Sequence, residues 1–489
     1  LARIGRVPVM SRPLFRRSGP ARPATLRDLQ SSGWESVPVK EELRRNLVAR
    51  IRSGERLFPQ VHGYDTTVIP QLENALLAGH DVIFLGERGQ AKTRLIRSLT
   101  GLLDEWMPIV AGSEINDDPY HPVSRHARDL VDEHGDATPI RWVPSDARYG
   151  EKLATPDTSI ADLIGEVDPI RVAEGRYLSD ELTLHYGLVP RTNRGLFAIN
   201  ELPDLAERIQ VGLLNVLEER DIQIRGHKIR LPLDLVLFAS ANPEDYTNRG
   251  RIITPLKDRF GSQIRTHYPL DPDVEMHIVH QEATMPTVAD LEVRVPSFMS
   301  RVIAVLSHQA RQSPHLNQRS GVSVRLSVTN HEAMTANAVR RALRSEELEA
   351  VPRISDLEAL VAATSGKVEV ESLDEDRDGE VVDRILRAAV LEVFRELVPT
   401  DLHRPIIDAF EGLDGVSTGE DIGSAAYVYM AAEEVPALKP AVDALLEAET
   451  SNGPAMVASA VELVLEGLHL SKRLNKHAAG PRARYAARA

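Results

Sequence analysis

One segment of this chain leaves little freedom about what must surround it: Asp81-Val82-Ile83-Phe84-Leu85-Gly86-Glu87-Arg88-Gly89-Gln90-Ala91-Lys92-Thr93-Arg94. Four consecutive apolar residues bounded by turn formers fit a strand buried on both faces, which is the habit of parallel sheets. Gly86 and Gly89 allow a tight loop, and Lys92 begins a helix. The spacing is G-x-x-x-x-G-K-[ST], with Ala91 standing where the second glycine belongs. In such a loop successive backbone N–H groups turn inward around phosphate oxygens. The lysine reaches the outer phosphates, the threonine hydroxyl ligates magnesium, and the helix start favours an anion. Residues Gly86 to Arg94 are therefore the candidate binding loop for a nucleoside triphosphate.

Composition narrows the context. At 489 residues the chain has room for roughly two to four domains. A net charge of −14 argues against a general nucleic-acid binder, whose affinity rests on basic surface. The absence of cysteine excludes disulfides, thiolate metal sites and cysteine nucleophiles, and fits a cytoplasmic setting. No apolar run approaches the ~20 residues of a membrane span. Residues 1–27 hold seven arginines and no acid, with Pro8, Pro13, Pro20 and Pro23 breaking any amphipathic helix. They read as a disordered extension rather than a transit peptide.

Along the chain, helical spacing covers 39–52, closing at Gly54, and 68–77. The strand 82–85 is followed by a helix over 92–103, short strands at 107–111 and 140–143, and a helix over 125–134. Residues 151–195 look like an insertion. A buried strand then runs through Leu196 to Glu201, a helix spans 205–219, residues 222–231 form a hairpin around Gly226, and a strand covers 233–240. Strands alternating with helices predict a parallel α/β sheet. Beyond Pro272 only helices are expected: 274–282, 297–313, 325–344, 354–363 and a region over 381–470. Asp374-Glu-Asp376-Arg-Asp378-Gly379 imitates the start of a calcium loop, but Ile385 stands where its bidentate glutamate belongs, so 369–380 reads as a solvated acidic loop. His277 and His280 have no evident third ligand. The basic tail reads as disordered.

The chemistry accumulates in chain order. Asn200 and Glu201 end a buried strand, where open α/β sheets bind ligands. A carboxylate there can orient and deprotonate an attacking water while its predecessor assists magnesium, which makes Thr93, Asn200 and Glu201 the candidate metal group. Asn242 ends the next strand, with an amide suited to a γ-phosphate or the water. Arg259 stands at the sheet edge, suited to a neighbouring subunit's phosphate, and Arg325 opens a helix that can approach the same nucleotide.

This ordered set resembles the AAA+ ATPases, specifically the group that contains the magnesium-chelatase ATPase subunit and the MoxR-type ATPases. The resemblance rests on Gln90-Ala91-Lys92-Thr93, on Leu163-Ile164-Gly165-Glu166 with Gly187-Leu188-Val189-Pro190-Arg191 before the Asn200-Glu201 strand, and on the 222–231 hairpin. It spans about residues 55–345. It implies an AAA+ α/β core with a parallel sheet, then an all-helical lid and a C-terminal helical domain. The corresponding boundaries are 1–54 for the N-terminal extension and helix, and 55–270 for the core, with an insert at 151–195 and a hairpin at 221–232. The lid is then 271–368 and the C-terminal domain and tail 369–489. The resemblance further implies that Lys92 and Thr93 bind phosphate and Mg2+, that Glu201 activates water, and that Asn242 senses the γ-phosphate. Arg259 becomes a finger acting in a neighbouring subunit, Arg325 a second sensor, and His62, Gly63 and Tyr64 the adenine-wrapping segment. ATP and Mg2+ are the implied cofactors. A homo-oligomer, as a hexameric ring, and a separate von Willebrand A-domain protein are the implied partners, with metal insertion or protein maturation as the work. The chain departs from the pattern at Asn200, where the group has aspartate. That departure keeps open a non-hydrolysing, nucleotide-gated scaffold. Arg225, Lys228 and Arg230 on the hairpin keep open a nucleic-acid motor, against the net acidity.

Overall fold

The computed structural model describes residues 22–167, 183–219, 231–242, 250–317, 321–369, 378–479 and 482–488. Among the described residues up to position 265 there are nine strands: β1 (Val82–Leu85), β2 (Trp106–Val110), β3 (Ile140–Pro144), β4 (Tyr149–Leu153), β5 (Gly165–Val167), β6 (Leu184–Tyr186), β7 (Gly195–Asn200), β8 (Leu235–Ala241) and β9 (Ser262–Arg265). Five of them form one sheet in the order β4-β7-β8-β1-β9, every neighbouring pair parallel. Side chains on a strand alternate between faces, so the three central strands β7, β8 and β1, covered on both faces, need apolar residues at nearly every position, while the edge strands β4 and β9 do not. Val82, Phe84, Leu196, Ala198, Val236 and Phe238 face one core, shared with the helices Val39–Ser53, Val68–Ala78 and Lys92–Ser98. Ile83, Phe197, Ile199, Leu237 and Ala239 face the other, against Ile164, Ile209 and Leu256. The Val39–Ser53 helix ends as predicted at Gly54, whose left-handed φ of 72° closes the last turn.

Several expectations are corrected. β2 and β3 do not join the parallel sheet. They pair antiparallel with each other, and Met107, Ile109 and Val143 bury a small core of their own. The extension is not wholly disordered: Thr25 bridges to Pro139, Pro23 O accepts from the Trp142 indole at 2.8 Å, and Arg22 lies 3.6 Å over the Trp106 ring. Residues 151–153 belong to the sheet as part of β4, not to an insertion. Between β4 and β7 lie a short helix, Ile160–Leu163, and the antiparallel pair β5–β6. The predicted hairpin, with Arg225, Lys228 and Arg230, lies outside the described residues except for Leu231 and Pro232. So do 370–377 of the acidic stretch, while Ile385 is buried in the helix Asp378–Leu397.

Beyond Pro272 the long helices are Pro272–Glu282, Ser297–Gln312, Val324–Arg344, Asp378–Leu397 and Pro454–Leu470, the last four packed around Phe298, Leu326, Val393, Phe394 and Leu463. This half is not purely helical. The basic tail folds into antiparallel strands Leu474–Ala479 and Arg482–Ala487, and the second pairs with Val416–Gly419. Order there has a physical cause. Leu474 and Tyr485 are buried, the Tyr485 hydroxyl donates to Glu466 at 2.5 Å, and Lys476 and Arg482 pair with Glu466 and Asp421. Among the described residues no helix is long and apolar enough to cross a membrane.

Candidate functional site

The loop after β1 is held open from both ends. Gly86 N donates to Ala241 O of β8 at 3.1 Å. A Cβ on Gly86 would run into the Thr266 hydroxyl and the Gln90 amide oxygen, which are hydrogen-bonded to each other at 2.7 Å, so glycine is demanded by close approach. Gly89 (φ 75°) and Ala91 (φ 54°, ψ 16°) both take the left-handed conformation, the kind of backbone from which phosphate-binding loops are built. Glycine does this freely, whereas Ala91 holds it at a cost of about 1–2 kcal/mol. Lys92 is buried to 7% exposure, and its ammonium donates to Gly86 O and, at 2.8 Å, to Glu87 O, which places it inside the loop mouth. A cavity of about 250 Å³ behind the loop is lined in part by Gln90, Thr266, Lys257 and Arg265.

Thr93, in the first turn of the helix, donates to Asn200 Oδ1 at 3.2 Å, joining the loop to the end of β7. Asn200 also accepts from the Ser240 hydroxyl at 3.2 Å, and its Nδ2 donates to Glu151 Oε1 at 2.6 Å. Glu151 in turn accepts from Arg97 at 2.7 and 2.9 Å and from the Tyr149 hydroxyl at 3.0 Å. Burial works against ionisation of Glu151, but the hydrogen bonds from Arg97 and Tyr149 outweigh it and hold the carboxyl below its ordinary range. Glu201 follows at φ 55°, ψ 50°, a left-handed backbone that costs a glutamate about 1–3 kcal/mol and marks a position where strain is tolerated for use. Its N–H lies 3.3 Å from Ser240 Oγ. Thr93, Asn200 and the two glutamates are all oxygen donors, the kind Mg2+ takes. With the left-handed loop and the buried Lys92, these residues fit a magnesium–nucleoside triphosphate.

The structure places the other predicted residues around this centre. The buried Tyr64 hydroxyl lies 2.8 Å from both Gln90 O and His267 O, which ties the 62–64 segment to the loop, and burial pushes its pKa well up. His62 meets Gln281 at 2.9 Å, and a Cβ on Gly63 (φ 79°) would meet Val274 Cγ1 at 2.9 Å, so this segment also touches the helix Pro272–Glu282. Arg94 reaches Glu282 of the same helix at 2.5 Å. The Tyr268 hydroxyl donates to Arg88 O at 2.9 Å, and the side chain of Glu87 lies against Gly321. Ser323, which caps the helix carrying Arg325, sits directly against Gly89. Asn242 is buried just past β8. Arg325 is exposed at the helix start, and Arg259 is exposed at the end of the helix Thr254–Arg259. Sequence reasoning missed Glu151, Arg97, Tyr149, Gln90's partner Thr266, and Ser323. The half-exposed strand β4 has no apolar run to announce it.

No family model matches the chain. It is 26% identical over 223 residues to the magnesium-chelatase subunit ChlI of Anabaena variabilis, covering 45% of this chain and 60% of that protein. It is 29% identical over 209 residues to ChlI of Guillardia theta, covering 41% and 54%, and 27% identical over 207 residues to the chloroplastic ChlI of Chlamydomonas reinhardtii, covering 42% and 46%. The chain therefore spans about half the length of the curated relatives it matches. Among solved structures, a chain of the magnesium-chelatase BchI–BchD complex aligns at 20% identity over 68% of this chain and 98% of that one, with a TM-score of 0.35, too low to argue from. Together with the glycine loop after β1, the acid that follows β7 and the helix Val324–Arg344 set against that loop, this similarity supports an AAA+ ATPase of the magnesium-chelatase/MoxR group, and the half of the chain that carries the loop is similar to the ATPase subunits of magnesium chelatase.

Proposed function

We propose that the chain is an ATP-hydrolysing remodelling ATPase that acts as a ring of identical subunits on a separate partner protein, of the von Willebrand A type, in metal insertion or protein maturation. The observation that carries the reading is the Thr93–Asn200 hydrogen bond, which joins the phosphate loop to the strand end bearing Glu201. Bound magnesium would screen phosphate charge and organise the oxygens for in-line attack. The chain's own residues do the rest. The loop N–H groups and Lys92 orient the phosphates. Thr93 and Asn200 offer oxygens to the metal. Glu201 holds the attacking water and takes its proton, and Asn242 offers an amide to the same water or phosphate. Arg259, exposed at the sheet edge, suits a phosphate bound by the next subunit, so each site would be completed only in the ring.

The test is turnover of ATP by the purified protein and by two variants, alone and mixed. Glu201→Gln should be inactive if this carboxylate is the base, and equal rates for it and the wild-type protein would sink the enzyme reading. Arg259→Ala should be inactive alone yet regain turnover when mixed with Glu201→Gln, because the mixed interface holds one intact half from each. Failure to regain it would remove the shared site. One alternative has an observation in its favour: the neutral Asn200 suits a nucleotide-gated scaffold that binds without hydrolysing. Nucleotide binding with no turnover in the wild-type protein would select it.

A further inference from the structure

Position 200 meets two kinds of neighbour. On one side are the hydroxyls of Thr93 and Ser240, both 3.2 Å from Oδ1. On the other is a carboxylate oxygen of Glu151, 2.6 Å from Nδ2. A carboxylate only accepts, so the group facing Glu151 must donate, and the group facing the hydroxyls here accepts. An amide satisfies both sides. An aspartate would set two carboxylates against each other at hydrogen-bond distance, where both cannot stay ionised. The residue that departs from the group's pattern is therefore the one its surroundings call for. The charge missing from position 200 is present one strand over. β4 runs parallel to β7 with Leu153 opposite Asn200, and Glu151 stands two residues earlier on the same face. Arg97, from the phosphate-loop helix, clamps that carboxylate in place with two bonds.

We propose that Glu151 supplies the negative charge which Asn200 lacks at the magnesium–nucleotide site, acting through the Asn200 amide as a positioning residue. This rests on the nucleotide-binding reading above. The Nδ2–H···Glu151 bond fixes the orientation of the amide and makes Oδ1 a stronger acceptor toward Thr93 and toward a metal or its waters. The site thus keeps a carboxylate's electrostatics with an amide's geometry. It also joins the metal end of the phosphates to Arg97, so the loop helix and the sheet edge are held as one unit.

The experiment compares affinities for ATP with Mg2+ and for ATP in EDTA, measured by calorimetry, with the nucleotide-free melting temperature alongside. The ratio of the two affinities reports charge at the metal site and is insensitive to a general loosening of the pocket. Glu151→Gln should lower that ratio about tenfold or more, the usual effect of losing a group behind a metal ligand. The double variant Glu151→Gln/Asn200→Asp exchanges donor and acceptor across the same hydrogen bond and returns the charge to position 200. It should restore the ratio to within about threefold of wild type. Asn200→Asp alone should melt lower than wild type without nucleotide, because its two carboxylates oppose each other. The proposal is overturned if Glu151→Gln weakens both forms of ATP equally, or if the double variant is no better than the single one. A wild-type protein that binds neither form would remove the nucleotide-binding reading itself. A wild type that binds Mg–ATP beside a Glu151→Gln protein with an unchanged ratio removes this inference alone.

Discussion

Gly89→Ala should pry the helix Val324–Arg344 from the loop after β1, and the size of the effect depends on where the added methyl would land. At φ 75° an alanine already carries about 1–2 kcal/mol of left-handed strain. Its Cβ would overlap the Ser323 hydroxyl and sit 2.8 Å from Ser323 Cβ and 3.3 Å from its Cα. The last two atoms are anchored at the cap of the Val324–Arg344 helix, so a rotamer change of Ser323 does not clear the clash. Overpacking of this kind costs about 1–3 kcal/mol. If it is relieved by moving the helix that carries Arg325, it appears as weaker nucleotide binding, roughly tenfold to hundredfold at about 1.4 kcal/mol per decade. Ser323→Gly removes the hydroxyl and the side-chain carbon, the two nearest atoms, and leaves the Cα of residue 323 at 3.3 Å, a tight contact that a shift of a few tenths of an ångström relieves. Glycine at a cap costs only a few tenths of a kcal/mol. The double variant should therefore recover nucleotide affinity measured by calorimetry, while its melting temperature still shows the backbone strain. Gly89→Ala with affinity within threefold of wild type would refute the closeness of this helix and the loop, and so would a double variant as weak as the single one.

Other parts of the chain give three more expected outcomes. Ala91→Gly relieves about 1–2 kcal/mol of left-handed strain but gives back about 0.4–1 kcal/mol through a freer unfolded chain. Denaturant unfolding should show a net gain of about 0–1.6 kcal/mol, and a clear loss would contradict the strain assigned to Ala91. Arg148 and Glu42 are both buried and share two hydrogen bonds of 2.6 and 2.7 Å. Arg148→Met should thus destabilise by about 3–5 kcal/mol, and adding Glu42→Met should recover most of it. Burial, helped by the neighbouring His280, lowers the His331 pKa to about 4 from an ordinary 6.5. Because the folded value lies below the unfolded one, nothing is lost above pH 6.5. Stability falls as pH drops from 6.5 toward 4, by up to about 3 kcal/mol, and His331→Phe should flatten that part of the stability–pH curve.

The readable part of this protein is local. Residues 82–93 declare strand, loop and helix because burial on both faces forces an unbroken apolar run and close backbone approach forces glycine at 86. The end of the Leu196–Asn200 run and the acid after it were legible for the same reason, and so was the Gly54 stop of the Val39–Ser53 helix. The left-handed backbone at Ala91 was not, since an alanine gives no sign of it. Nor was β4, a half-exposed strand without the alternation or apolar run that marks a strand. The basic tail misled because charge and arginine content suggest solvation, while its order comes from acids 61 and 10 residues away, Asp421 and Glu466, and from the buried ring of Tyr485.

What the chain's order of residues determined by itself was the phosphate loop, the carboxylate that follows β7, and the α/β character of the half that holds them. Each is a demand made by a short stretch of backbone on its own side chains. The tertiary structure alone decided what surrounds them: Glu151 behind Asn200, Ser323 on Gly89, and Glu282 on Arg94. These contacts join residues far apart in the chain, and nothing in either partner's neighbourhood names the other. Sheet order and helix packing bring them together, and a substitution that looked like a defect in one strand becomes intelligible only beside its neighbour.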